Sequence, residues 1–173
     1  MRKLMLVWIA VMALTLAACG DKKEALPSPL DYMDSVASVD LAAETGGLSD
    51  LGISEQEVVA QRGEPKLKGK LQGSTSWRGD VVLDYGDFTY NLNGGRVEGY
   101  SLNGEAATAR QVKIGDDGAR IETQYGKDHY VREIDQLRIW GYLDKENGRA
   151  IEFMMENDRV MMIAVADFAM YES

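Results

Sequence analysis

The chain has 173 residues, 45% of them hydrophobic, with a formal net charge of −9 and a pI near 4.7. That apolar share suffices for a packed globular core, while an acidic chain without a basic, aromatic-interleaved cluster excludes nucleic-acid binding. One cysteine excludes an internal disulfide, and one cysteine with one histidine is too few for a His/Cys zinc site; with a single histidine, no nucleophilic centre is expected.

Arg2 and Lys3 open the chain, and Leu4 to Leu14 form an apolar run followed by small residues. The run is shorter than the roughly 20 residues of a membrane span and reads as a signal peptide. Leu16-Ala17-Ala18-Cys19 resembles the lipobox of bacterial lipoproteins. The resemblance implies diacylglycerol on the Cys19 thiol, removal of residues 1–18 and a new N-terminus at Cys19. Loss of Arg2 and Lys3 would take the net charge from −9 to −11. Two acyl chains hold a protein stably on a bilayer, so the expected location is the extracytoplasmic face of a bacterial membrane, with the bilayer as one partner and no cofactor beyond the covalent lipid. Residues 19–30 carry charges and Pro27 and Pro29 and read as a lipidated tether. Residues 31–47, with Tyr32, Met33, Val36, Val39 and Leu41 before Gly46-Gly47, read as an N-terminal helix or linker.

From residue 48 the sequence can be laid on itself at an offset of 63 residues: Gly52 falls on Gly115, Gly63 on Gly126, Trp77 on Trp140 and Arg96-Val97 on Arg159-Val160. This gives two expected repeats, 48–110 and 111–173. In the first, Ser54 and Glu57 have capping-box spacing, Val58 supplies an apolar face, and Gly63 is expected to end the helix in the left-handed conformation before Pro65. In the second, Asp116 or Asp117 caps and Gly126 terminates. Alternation predicts strands near 77–85, 88–92 and 96–102, and near 137–143, 149–155 and 159–166, with turns at Asn93-Gly94-Gly95, Asn147-Gly148 and Glu156-Asn157-Asp158. The expected fold class is α+β: two repeated units, each a short helix packed on a three-stranded antiparallel meander.

The run from Gly52-Ile53-Ser54 through Val58 to Gly63-Glu64-Pro65, with Trp77 beyond, resembles the signature of small outer-membrane assembly lipoproteins of the SmpA/OmlA kind. The duplicated unit also resembles the β-lactamase inhibitor protein fold, and the overall plan is similar to uncharacterised duplicated firmicute lipoproteins. The matching residues are caps, turns and core, so the resemblance implies a fold and no activity.

The chemistry-bearing residues point away from catalysis. His129 reads as a solvated loop residue, and the carboxylates at Asp84, Asp87, Asp116, Asp117 and Asp144 read as caps and turns, without EF-hand spacing. Met154, Met155, Met161, Met162 and Met170 could bind Cu(I), though core filling explains them more simply. The expected function is that of a non-enzymatic anchored lipoprotein binding an envelope or secreted protein, the alternative being a sensor of a small ligand or metal. Alternation on the strand from residue 137 places Arg138, Trp140 and Tyr142 on one side; joined to Met154, Val160 and Met162 they would make an apolar, aromatic patch with an arginine at its edge, the composition of interface centres. The alternative is that Trp140 is core, as its match with Trp77 suggests, with a bulge shifting the alternation.

Overall fold

The computed structural model describes residues 27–70, 79–134 and 137–172; Cys19, the residues before it and Trp77 lie outside them. The elements are α1 (Glu55–Arg62), β1 (Leu67–Lys70), β2 (Val81–Asp84), β3 (Phe88–Asn93), β4 (Arg96–Leu102), α2 (Gly118–Tyr125), β5 (Tyr130–Ile134), β6 (Leu137–Asp144), β7 (Arg149–Glu156) and β8 (Arg159–Asp167). All eight strands form one sheet, in the order β1-β2-β3-β4-β8-β7-β6-β5, and every neighbouring pair is antiparallel.

This corrects the expected fold class. The molecule is mostly β, with two helices of eight residues each, rather than two helix-plus-three-strand units. Two strands escaped the pattern for physical reasons. Leu67-Lys68-Gly69-Lys70 is an outermost strand with almost no buried side chain, so it lacks an apolar period. In β5 the buried positions are Tyr130 and Arg132, a charge where the period calls for an apolar residue. Pairing of Gly99–Leu102 with Ile163–Ala166 then fuses the strands into one sheet.

Several backbone devices recur 63 residues apart. Ser54 caps α1 in a full capping box with Glu57, and Asp117 caps α2 by accepting from the Arg120 amide at 2.9 Å. Gly63 (φ 78°, ψ −167°) and Gly126 (φ 97°, ψ 176°) end the helices. Both have positive φ, but ψ places them in an extended region essentially reserved for glycine rather than the left-handed helical region expected. Arg96 donates to the Gly52 carbonyl at 2.7 Å and Arg159 to that of Gly115 at 3.2 Å. Register shifts opposite Asn91/Leu92 and Met154/Met155 leave one residue unpaired in the partner strand, Glu98 of β4 and Met161 of β8.

One sheet face packs beneath both helices: Val58 and Ile121 cover Leu83, Tyr90, Leu92, Tyr100, Tyr142, Ile151, Phe153, Ile163 and Val165. Residues 27–41 form a strap over β5 and β6: residues 27–36 lie on the other face, and beyond Ser38 the chain passes the sheet edge, so that Val39 and Leu41 join the helix-side core. Only Pro29–Tyr32 is helical, as a 3-10 turn, so the helix considered for 31–47 is absent. Its backbone groups go to the sheet instead: Ser38 bridges Leu143 in parallel and the Val39 amide donates to the Leu143 carbonyl at 2.8 Å. Val36 is buried with Tyr130, Leu143 and Ala150, and Tyr32 stacks on Tyr130 at 4.6 Å. Beneath lies a buried pair, Arg132 and Glu152, joined by two hydrogen bonds of 2.6 and 2.7 Å, with the Tyr130 hydroxyl donating to the same carboxylate at 2.7 Å. The remaining Arg132 amino group donates to the Pro27 carbonyl at 2.7 Å. Burial opposes the Arg132 charge, but the Glu152 carboxylate outweighs it and holds the guanidinium protonated.

Candidate functional site

The site forms where β6 begins and β7 turns into β8. Trp140 lies on the helix-covered face, opposite Val131 of β5 and Phe153 of β7. Gly118, the first residue of α2, admits the indole edge: a Cβ there would stand 2.6 Å from Trp140 Cη2. His129 stacks on the indole at 4.3 Å, with planes 19° apart. Burial lowers the His129 pKa against the pull of Glu122 and so favours the neutral imidazole. The Trp140 Nε1 and His129 Nδ1 are both buried without a hydrogen-bond partner among the described residues. Such groups are uncommon in proteins and carry a desolvation cost.

Arg138, one pleat nearer the strand start, sets its guanidinium 5.7 Å from the Trp140 ring centre. Both residues line a cavity of about 460 Å³ whose other walls are Leu137, Met155, Glu156, Asn157 and Asp158. Asn157 (φ 50°) and Asp158 (φ 59°) make a two-residue turn between the paired Glu156 and Arg159, the geometry that suits a tight hairpin. The walls therefore offer an aromatic ring, a cation, two carboxylates and an apolar floor, with no arrangement of nucleophile and base.

The six expected patch residues do not come together. Arg138 and Trp140 share the cavity. Tyr142 is buried, with its hydroxyl donating 2.7 Å to the Gly126 carbonyl at the end of α2. Val160 is buried in the same core. Met154 and Met162 pair with each other on the opposite face. The β6–β7 register is the cause: it sets Arg138 opposite Met155 and Trp140 opposite Phe153, so alternation turns Met155, not Met154, toward the cavity, while the unpaired Met161 of β8 brings Val160 opposite Met155. Trp140 is partly buried against the core and lines the cavity at once, which joins the two readings left open for it.

Sequence reasoning missed His129, which is half-buried against Trp140 rather than solvated, and the parts that Gly118 and Met155 play; the turn expected at Glu156-Asn157-Asp158 is present, with two residues rather than three. The two-residue turn had a signal in Asn157-Asp158; the extra residue in β8, Met161, had none. The methionine thioethers are divided among core, opposite face and surface, with Met161 42% exposed. Among the described residues no group of three His, Cys, Asp or Glu side chains is placed to hold a metal ion, and no helix is long and apolar enough to cross a membrane.

No protein-family model and no curated protein matches the chain. Among solved structures it is similar to an extracellular SCP-domain protein of Bacillus anthracis str. Ames, with a TM-score of 0.47 and 8% identity over 77% of this chain and 49% of that one. A DUF4309-family protein of Bacillus subtilis subsp. subtilis str. 168 gives a TM-score of 0.45 and 14% identity over 66% and 78%. A cysteine-rich secretory protein of Staphylococcus aureus subsp. aureus Mu50 gives 0.43 and 12% over 76% and 50%. The chain thus spans about half the length of the first and third. None of the three is described as an SmpA/OmlA-like protein or a β-lactamase inhibitor.

Proposed function

We propose that this chain is a non-enzymatic lipoprotein, anchored through diacylated Cys19 to the extracytoplasmic face of a bacterial membrane, that binds a protein partner at the Trp140 cavity. The observation carrying the binding site is the half-buried Trp140, its indole N–H unpartnered, in a cavity edged by Arg138. Tryptophan and arginine dominate the energetic centres of protein interfaces, because each gives large contact area together with a directional donor. The anchor rests on the Leu-Ala-Ala-Cys19 sequence and the short apolar run before it.

A second reading, a small-ligand receptor, is favoured by the cavity itself, whose 460 Å³ falls within the range of small-molecule pockets, about 300–1,000 Å³. A photo-crosslinking amino acid at Arg138, in intact cells, separates the two. A discrete protein adduct that disappears in Trp140→Ala supports protein binding. Absence of any adduct, with a small molecule retained by the purified chain in native mass spectrometry and lost in Trp140→Ala, supports the receptor. Absence of both contradicts a binding role for the cavity.

A further inference from the structure

We infer that the strap orients the molecule, holding the cavity-bearing end of the sheet toward the bilayer, so that the partner is one that lies at or in the membrane surface. The inference rests on the anchored reading above and deepens it.

The strap contacts descend the β5–β6 hairpin in order. Pro27 is held by Arg132, Tyr32 lies on Tyr130, the Ala37 amide donates to Asp128 at 2.9 Å, and the Leu41 amide donates to Asp144 at 2.7 Å. Because Arg132 pairs with Ile139 and Ile134 with Leu137, the chain travelling back from Tyr32 to Pro27 moves toward the β5–β6 connection. Leu137, Arg138 and Trp140 of the cavity stand at that same end. The strap is held there by the hydrogen bond from the buried Arg132 to the Pro27 carbonyl and by the Tyr32–Tyr130 stack, so the chain leaves the domain at one defined place.

Pro27 lies eight residues beyond Cys19, a reach of at most about 28 Å even when fully extended. The sheet is wider than that: β1 lies seven strand spacings from β5, or about 34 Å. A tether this short, leaving from β5, keeps the β5 corner near the bilayer and lets the β1 corner stand farther out. A freely soluble partner gains nothing from this arrangement; a membrane-seated one meets the cavity directly.

The lipidated full-length chain, reconstituted in phosphatidylcholine vesicles containing an acceptor-labelled headgroup lipid, tests the inference. With Cys19 acylated, Glu133→Cys and Lys70→Cys each supply a single free thiol for a donor dye, at exposed positions of β5 and β1. Energy transfer is expected to be stronger from position 133 than from 70, and insertion of about 20 Gly/Ser residues after Ala25, a coil spanning about 25 Å, should abolish the difference. Equal transfer from both positions with the native tether, or stronger transfer from 70, overturns the orientation while leaving the anchor intact. Failure of the chain to float with the vesicles overturns the anchor, and the orientation with it.

Discussion

The chain before residue 110 and the chain after it share a backbone frame but differ in what the frame carries. At the 63-residue offset, caps, helix-ending glycines, register shifts and the arginine that braces each turn all correspond. The side chains outside the frame do not. Glu152 of the buried pair corresponds to Thr89 and Arg132 to Gly69, so this buried pair has no counterpart at the matching positions of the first half. Gly118, which admits Trp140, corresponds to Glu55, whose side chain instead pairs with Lys68 at 2.5 Å. Caps, turns and shifts set the frame, and a few side-chain choices give one half its cavity and strap.

The largest test of that difference is the buried pair. Arg132→Met leaves Glu152 charged without its partner and should cost about 3–5 kcal/mol by urea unfolding, whereas Arg132→Met with Glu152→Met should recover most of it. The counterpart change, Thr89→Val, loses only the 2.7 Å hydrogen bond from Asn103 and should cost about 1 kcal/mol. Similar losses in the two single variants would refute the contrast.

Where the halves agree, so should their variants. Gly63→Val and Gly126→Val force a side chain into backbone angles that only glycine tolerates, and each should destabilise by about 1–3 kcal/mol. A smaller and again matched effect, about 1 kcal/mol each, is expected for Ser54→Ala and Asp117→Ala. Thermal denaturation of the four proteins checks both pairs, and a large inequality within either would break the shared frame.

The smallest effect concerns the strap. Burial raises the Asp144 pKa, but hydrogen bonds from the Leu41 amide and from Asn147 outweigh it and hold the carboxyl below its ordinary value. With the folded-state pKa below the unfolded one, its contribution is complete above about pH 4 and fades as pH falls through the folded value. Hydrogen exchange at residues 37–41 should accelerate on that acid limb, and Asp144→Asn should remove this pH dependence.

Much of the frame was legible in the sequence because caps and turns use few residue types. Ser54 with Glu57, Gly63, Gly126 and Asn93-Gly94-Gly95 announce themselves through the conformations they permit. The sheet was less legible. Leu67–Lys70 is exposed and β5 buries Arg132, so neither carries an apolar period. The strap was hidden as well, since its hydrogen-bond partners at Asp128, Leu143 and Asp144 lie about a hundred residues away. Of the cavity, Arg138 and Trp140 were legible from alternation, while bringing Met155 beside them depends on the β6–β7 register and His129 on a stacking contact, neither of which a local pattern encodes.

The central claim, that one half of a shared frame carries the binding site, is tested most directly by placing the same photo-crosslinker at two corresponding exposed positions. Glu156 ends β7 at the cavity, and Asn93, 63 residues earlier, ends β3 at the other end of the sheet. In intact cells a discrete protein adduct is predicted from position 156 and none from position 93. Equal adducts from both positions, or an adduct from 93 alone, would contradict the account.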